Sequence, residues 1–355
     1  MFKKILGLAL CLCLCLPFAG CGKNKDISVE GSDSSPSSLV SSESDTYINP
    51  LTGEDGLDKE TAMQRPVAIM VNNISIAQPV QTGLNKADIV YETEVEGGIT
   101  RLMAVYKDFK NASQVGTVRS CRYVYIDLAA GHDAMYVYHG IDEEHAAPHI
   151  GAVKSLVLGT NNGGVRVSNG LASEHTLYAN CDKFWESIVK TGNSTLSEEA
   201  KPWQNFAEDG EDVKLGNTAN TVTVPFSASY KTTFKYNAET GKYTRYFGET
   251  LRKDYKTGET TEVKNVFVLN TTIGNMSPCK DAAKGKSAHK NVSLTSGSGY
   301  YIVNGTYTKI NWSKGSASDS FKFTNEDGSA LTVNPGNSWV CVADSSNSQP
   351  VIAKT

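Results

Sequence analysis

The sequence predicts an α/β or α+β N-terminal domain followed by a smaller, mostly β C-terminal domain. Between residues 61 and 205, apolar strand-like runs interleave with segments whose apolar residues recur at helical spacing. After about Phe206 the texture changes to short alternating runs, three pairs of which flank Asn/Gly turns in hairpin form. Ahead of both lies a stretch too polar to bury a core.

The chain opens with Lys3 and Lys4, an apolar stretch over 5–16, and Pro17-Phe18-Ala19-Gly20-Cys21. A charged start, an apolar core too short to stay in a bilayer and small residues before a cut describe a signal peptide over 1–20. Compact Ala19 and Gly20 before Cys21 make it the lipoprotein kind, in which the Cys21 thiol takes a diacylglyceryl thioether; the alternative is an ordinary secretory cut nearby. The expectation is a chain lipid-anchored through Cys21 to the outer face of the cytoplasmic membrane, with the bilayer as a partner. Cys11, Cys13 and Cys15 leave with the peptide.

Residues 21–60 read as a flexible stalk. Its part up to Asp45 is Ser, Asp, Glu, Lys and Asn with almost no aromatic content, too little apolar surface to offset the entropy of ordering. At about 3.3 Å per residue such a stalk reaches several tens of ångströms from the headgroups.

In the N-terminal domain (61–205), Val67-Ala68-Ile69-Met70-Val71 reads as a buried strand. The runs 88–92 and 99–106, joined through Glu96-Gly97-Gly98, read as a hairpin. Helical spacing predicts a helix over 120–130, alternation returns at 134–138, and a second helix is expected over 174–190, closed by Gly192. In the C-terminal domain (206–345) the hairpin pairs are 234–236 with 243–246, 300–303 with 307–312, and 321–324 with 330–333, leaving 346–355 as a tail. Trp312 and Trp339 read as core rather than as a glycan groove.

Formal net charge is −4, so no basic surface points to nucleic acid or to a polybasic lipid face. Cys121, Cys181, Cys279 and Cys341 remain after processing besides the anchor; wide spacing without C-x-x-C favours buried free thiols over disulfides.

Candidate chemistry concentrates in Gly116-Thr117-Val118-Arg119-Ser120-Cys121-Arg122. Gly116 is a permissive turn residue, Ser120 a helix cap, and a helix start with Arg119 and Arg122 beside it favours an anion. Arg101, on a neighbouring predicted strand, adds a third positive group, and His139 sits where a strand opens into a loop. The expected ligand site is therefore Arg101, Arg119, Ser120, Arg122 and His139, for a phosphate-bearing or acidic envelope ligand. The competing reading pairs the arginines internally with Asp88, Glu92, Glu94 or Asp127. His139, His145 and His149, with Asp142, Glu143 and Glu144 between them, match no tight metal spacing, and no metal ligand is assigned.

The motifs Arg65-Pro66-Val67-Ala68-Ile69-Met70-Val71-Asn72-Asn73, Glu96-Gly97-Gly98-Ile99-Thr100-Arg101, Gly116-x-Val118-Arg119-Ser120-x-Arg122 and Asn334-Pro335-Gly336-x-x-Trp339-Val340 resemble the YerB-type lipoprotein family, over about residues 61–343. The resemblance implies a lipoprotein with an N- and a C-terminal domain of unknown function, and no activity. Cys121 stands where the family commonly has Ala, and the stretch before His175 departs from the usual Ala-Pro-His. Lys86-Ala87-Asp88 and the Arg119–Arg122 segment are also loosely similar to the LytR-CpsA-Psr phosphotransferases, although the family's Arg-Asp turn is absent. That similarity implies the alternative of a phosphotransferase acting on polyisoprenyl-pyrophosphate-linked glycopolymers, with Asp88 or Glu92 as catalytic carboxylates holding Mg²⁺. A third alternative is a structural or protein-interaction scaffold. The leading expectation is a non-enzymatic binder without a cofactor.

Overall fold

The computed structural model describes residues 46–208, 211–346 and 349–354; the signal peptide over 1–20, Cys21 and the stalk up to residue 45 lie outside the described residues. The stalk expectation needs correcting at its C-terminal end, because 46–60 folds onto the body. Tyr47 bridges Leu57, Leu51 is buried, and the Pro50 carbonyl accepts the Trp203 N–H at 2.7 Å. Tyr47, Pro50 and Leu51 supply the apolar surface that 22–45 lacks. Helix α1 (Lys59–Met63) follows, its first turn capped by the Asp58 carboxylate accepting from Thr61 N at 2.7 Å.

A central sheet runs through both halves of the chain. Its strands are β1 (Val67–Asn72), β2 (Ile89–Glu96), β3 (Ile99–Tyr106), β4 (Met135–Tyr138), β5 (Ser155–Val157), β6 (Asn265–Thr271), β7 (Ser296–Val303), β8 (Thr306–Ser313), β9 (Lys322–Asn325) and β10 (Ser338–Asp344). Their order is β9-β8-β7-β6-β10-β2-β3-β1-β4-β5, with Asn217–Thr218 added beside β8. The junction is β10, parallel both to β2 (Ile89 opposite Ser338) and to β6 (Asn265 opposite Ser338). The N-terminal part is α+β and the C-terminal part mostly β, as the texture predicts, but they share one sheet.

Alternate residues of these strands build two cores. Val67, Ile69 and Val71 of β1 face one side with Phe184, Phe234 and Trp339; Ala68 and Met70 face the other with Tyr125, Phe267 and Trp312. Both sides being covered explains why β1 reads as an unbroken apolar run. Trp312 and Trp339 are core residues. Helix α2 (Tyr123–Ala130) packs on the second side and α3 (Cys181–Lys190) on the first. A six-stranded sheet built around Thr221–Pro225, Lys231–Asn237 and Lys242–Phe247 also covers the first side.

The expected helix over 174–190 divides differently. Ser173–His175 is a 3-10 turn, Leu177–Asn180 a strand paired with Gln114–Gly116, and the helix starts only at Cys181, where the Asn180 side chain accepts from Lys183 N at 3.0 Å. Leu177 fits helical spacing yet is buried in the strand core. The pair 321–324 with 330–333 is reduced to a Thr324–Ala330 bridge, since Val333 pairs with Phe206 instead. Among the described residues the four cysteines are free and buried, and no helix is long and apolar enough to cross a membrane.

Candidate functional site

The segment 116–122 is wedged across the ends of two parallel strands. β1 and β4 run side by side and finish at the same edge. Asn72 N donates to Thr117 O at 2.8 Å, Arg119 N to Met70 O at 3.2 Å, His139 N to Arg119 O at 3.1 Å and Cys121 N to Gly140 O at 2.9 Å. Gly116 serves close approach rather than a turn: a Cβ there would lie 2.6 Å from the Tyr178 ring. Gly140, at φ +81°, both needs the left-handed region and leaves room for Ser120 Oγ, 2.9 Å from where its Cβ would stand. Ser120 does not cap α2; the N-cap is Arg122, without a side-chain cap bond, because the chain stays extended along 139–141 until then.

The three arginines do not converge on one open site. Arg101, on β3, donates through Nη1 to Ser120 O at 2.9 Å and through Nη2 to Glu96 Oε1 at 3.0 Å. Arg122 takes the same carboxylate from the side, Nε to Oε2 at 2.8 Å and Nη2 to Oε1 at 2.9 Å, with Nη1 on Cys121 O at 2.9 Å. Burial lowers the Arg101 guanidinium to about 10, with Arg122 adding to the effect. Burial alone would raise the Glu96 carboxyl, but Arg101 and Arg122 together hold it below the usual range. The internal partner is thus Glu96, at the end of β2, rather than Asp88, Glu92, Glu94 or Asp127.

Arg119 is held more loosely. Its Nη1 reaches Glu174 O at 3.3 Å, Nη2 stands 4.0 Å from a Glu174 carboxylate that is 60% exposed, and its buried Nε has no partner among the described residues. The neighbouring His175 is buried, accepting from Asn72 Nδ2 at 2.9 Å and facing Glu174 through Nε2 at 3.1 Å. His139 Nδ1 meets Leu158 O at 2.8 Å. A carbonyl only accepts, so that nitrogen carries a proton.

The alternative catalytic carboxylates are elsewhere and occupied. Glu92 is fully buried and accepts from Asn73 Nδ2, Thr100 Oγ1, Thr232 Oγ1 and Trp339 Nε1 at 2.9–3.0 Å, which leaves no lone pair for Mg²⁺. Asp88 precedes β2 while Glu96 ends it, roughly 26 Å apart at strand rise. Asp88 accepts from Asn49 Nδ2 at 2.9 Å and from Lys107 N, and burial raises its carboxyl to about 7. It borders a separate cleft of about 600 Å³ with Lys86 and Lys264. Among the described residues neither carboxylate pairs with Arg119 or Arg122: a single strand holds Asp88 and Glu96 at opposite ends, and Glu92 is taken up by its own four donors.

A cleft of about 290 Å³ does open at the motif, lined by Ser120, Arg122, Asp142, Lys280, Lys284 and His289 among others. Its far wall comes from the C-terminal part, where His289 bridges the Glu96 backbone. The histidine run separates: His149 packs edge-on against the Tyr123 ring at 4.7 Å, whereas His145 and His289 both meet Asp142. Sequence reading missed His289 and Glu96. His289 lies 147 positions from Asp142, and no local spacing signals that meeting.

Residues 51–194 match the family model described as Protein of unknown function (DUF3048) N-terminal domain, and residues 222–340 match that of the DUF3048 C-terminal domain. A Bacillus subtilis (strain 168) protein named "Putative lipoprotein YerB" is 27% identical over 308 residues, 82% of this chain and 84% of the relative. The crystal structure of YerB from Bacillus subtilis is similar at a TM-score of 0.69 and 25% identity, covering 83% of this chain and 96% of that one.

Proposed function

Because the chain belongs to the YerB-type family built of N- and C-terminal DUF3048 domains, we propose that it is an extracytoplasmic lipoprotein, tethered through Cys21, that binds an anionic cell-envelope ligand without turning it over. The tether is supported by Ala19-Gly20-Cys21 and by the name of the Bacillus relative. Cys21→Ser should leave the protein unprocessed or release it from membranes; unchanged membrane retention and mass in the variant would remove the tether.

The binding reading rests on the cleft beside Ser120. Arg122 borders it while spending only Nε–H, one Nη2 proton and one Nη1 proton on Glu96 and Cys121, so the rest of its fork remains for an acceptor. Lys280 and Lys284 stand on the same cleft; of its carboxylates Asp142 is engaged by two imidazoles, Glu144 by the Lys280 N–H and Asp281 by Lys286 and His289, while Glu143 also lines it. Calorimetric titration of the protein with pyrophosphate at low salt tests it. Binding that weakens about tenfold in Arg122→Gln is expected. A wild-type protein that ignores pyrophosphate and inorganic phosphate leaves the scaffold reading, which the closure of Arg101 and Arg122 on Glu96 favours.

A further inference from the structure

We propose that Asp142, His145 and His289 form a divalent metal site of the zinc class in the wall of the Ser120–Arg122 cleft. The inference stands independently of the anion reading, since it concerns the metal alone. The Nδ1 atoms of His145 and His289 lie 3.1 and 2.9 Å from the same Asp142 oxygen, Oδ2, and the three ligand atoms all fall within 4.8 Å of one another. Asp142 is buried and both imidazoles are largely covered, so the arrangement is built into the fold rather than a chance meeting of surface chains.

The hydrogen bonds around His145 leave its Nδ1 disposed to take a cation. His145 Nε2 faces the Pro278 carbonyl at 2.8 Å, an atom that only accepts, so Nε2 carries the ring's proton. In the neutral ring, Nδ1 therefore turns a lone pair toward Oδ2. A carboxylate oxygen offers a lone pair as well, so the 3.1 Å contact takes either a second ring proton or a metal ion between the two atoms. An ion with bonds of about 2.0–2.2 Å in tetrahedral geometry sets its ligand atoms about 3.3–3.5 Å apart, a few tenths beyond the two imidazole–carboxylate distances.

The outer contact of His145 is the kind that orients a metal-binding histidine. The nitrogen not aimed at the cluster is held by a carbonyl in His145 and stands 3.8 Å from the Asp281 carboxylate in His289. The second Asp142 oxygen accepts from Glu144 N at 3.1 Å, leaving Oδ2 for the ion. Two imidazoles and one carboxylate suit Zn²⁺ or Co²⁺ rather than the all-oxygen preference of Mg²⁺ or Ca²⁺, and three protein ligands leave a fourth position for water or a ligand. Asp142 and His289 both border the cleft, so that fourth position opens beside Arg122. The ion would also pin the Asp142 loop to the C-terminal segment carrying His289.

The test is titration of the full chain, stripped of metal and purified in detergent, with Zn²⁺ and with Co²⁺. Wild type should take up one equivalent, develop ligand-field absorption with Co²⁺, and gain thermal stability with Zn²⁺ but not with Mg²⁺. His145→Gln, His289→Gln and Asp142→Asn should each weaken uptake by about 100-fold or more, whereas His149→Gln, outside the cluster, should bind as wild type. A melt of each variant separates lost ligation from lost folding, and the wild-type Zn²⁺ response does not depend on any variant folding. Wild type that binds neither ion, or a folded His289→Gln that binds as wild type, overturns the site and leaves a proton-held cluster. The pyrophosphate titration, run without metal, reports on the anion reading separately.

Discussion

The indole N–H of Trp339 donates to Oε2 of Glu92 at 3.0 Å, across the junction of the two family domains. Arg245 lies over the same indole at 4.5 Å and donates to Asn73 Oδ1 at 3.1 Å, and Asn73 in turn donates to Glu92 at 3.0 Å. A buried carboxylate and a buried guanidinium are thus joined through Asn73 and Trp339, one charge from each half of the chain. This network, together with β10 between β2 and β6, binds the two sequence domains into one folded unit.

Removing one charge leaves the other without compensation. Glu92→Ala should destabilise by roughly 3–5 kcal/mol, and Trp339→Phe, which deletes one bond to a charged acceptor, by about 1.5–3 kcal/mol. Urea unfolding followed by tryptophan fluorescence and by far-ultraviolet circular dichroism measures both. Coincident transitions are expected; two separate transitions in the wild type would show that the halves fold independently.

The Glu96 carboxyl titrates below its unfolded value because Arg101 and Arg122 outweigh its burial. A depressed folded pKa contributes stability above the unfolded value, about pH 4.3, that is lost as pH falls through the folded one. Melting midpoints should therefore decline below about pH 4 more steeply in wild type than in Glu96→Gln. Parallel curves for the two proteins would contradict the pairing.

Arg119 and Arg122 should respond unequally to the same substitution. Arg122 is 15% exposed and bonded twice to Glu96, so Arg122→Gln should cost roughly 2–4 kcal/mol. Arg119 stands 4.0 Å from an exposed Glu174 carboxylate and its buried Nε has no partner among the described residues, so Arg119→Gln should change stability by less than about 1 kcal/mol. Thermal melts of the two variants decide it; equal large losses would mean that Arg119 is as firmly paired as Arg122.

Leu51, 4% exposed, lies in the stretch that composition assigns to a stalk. Leu51→Ala should cost about 2–4 kcal/mol, as for a core leucine. A cost near zero in denaturant titration would restore the stalk up to residue 60.

The sequence by itself determined the elements whose signals are local. An unbroken apolar run made Val67–Asn72 a strand covered on both faces, Glu96-Gly97-Gly98 closed the β2–β3 hairpin, and Asn304-Gly305 turned β7 into β8. The change of texture near Phe206 falls in the gap between the two matched family ranges. Only the tertiary structure decided what depends on chain segments far apart. Parallel pairing of β10 with β2 has no turn to announce it, and Leu177 satisfies helical spacing while the strand Gln114–Gly116 claims it. Arg101 and Arg122 were legible as a positive pair, but their partner Glu96 sat unnoticed at the hairpin turn. Asp142 and His145 were legible as a polar loop, but His289 arrives from the other domain. Hydrophobic period and turn chemistry act over a few residues and so leave a mark in the sequence; a charge finds its partner only when packing brings distant segments together.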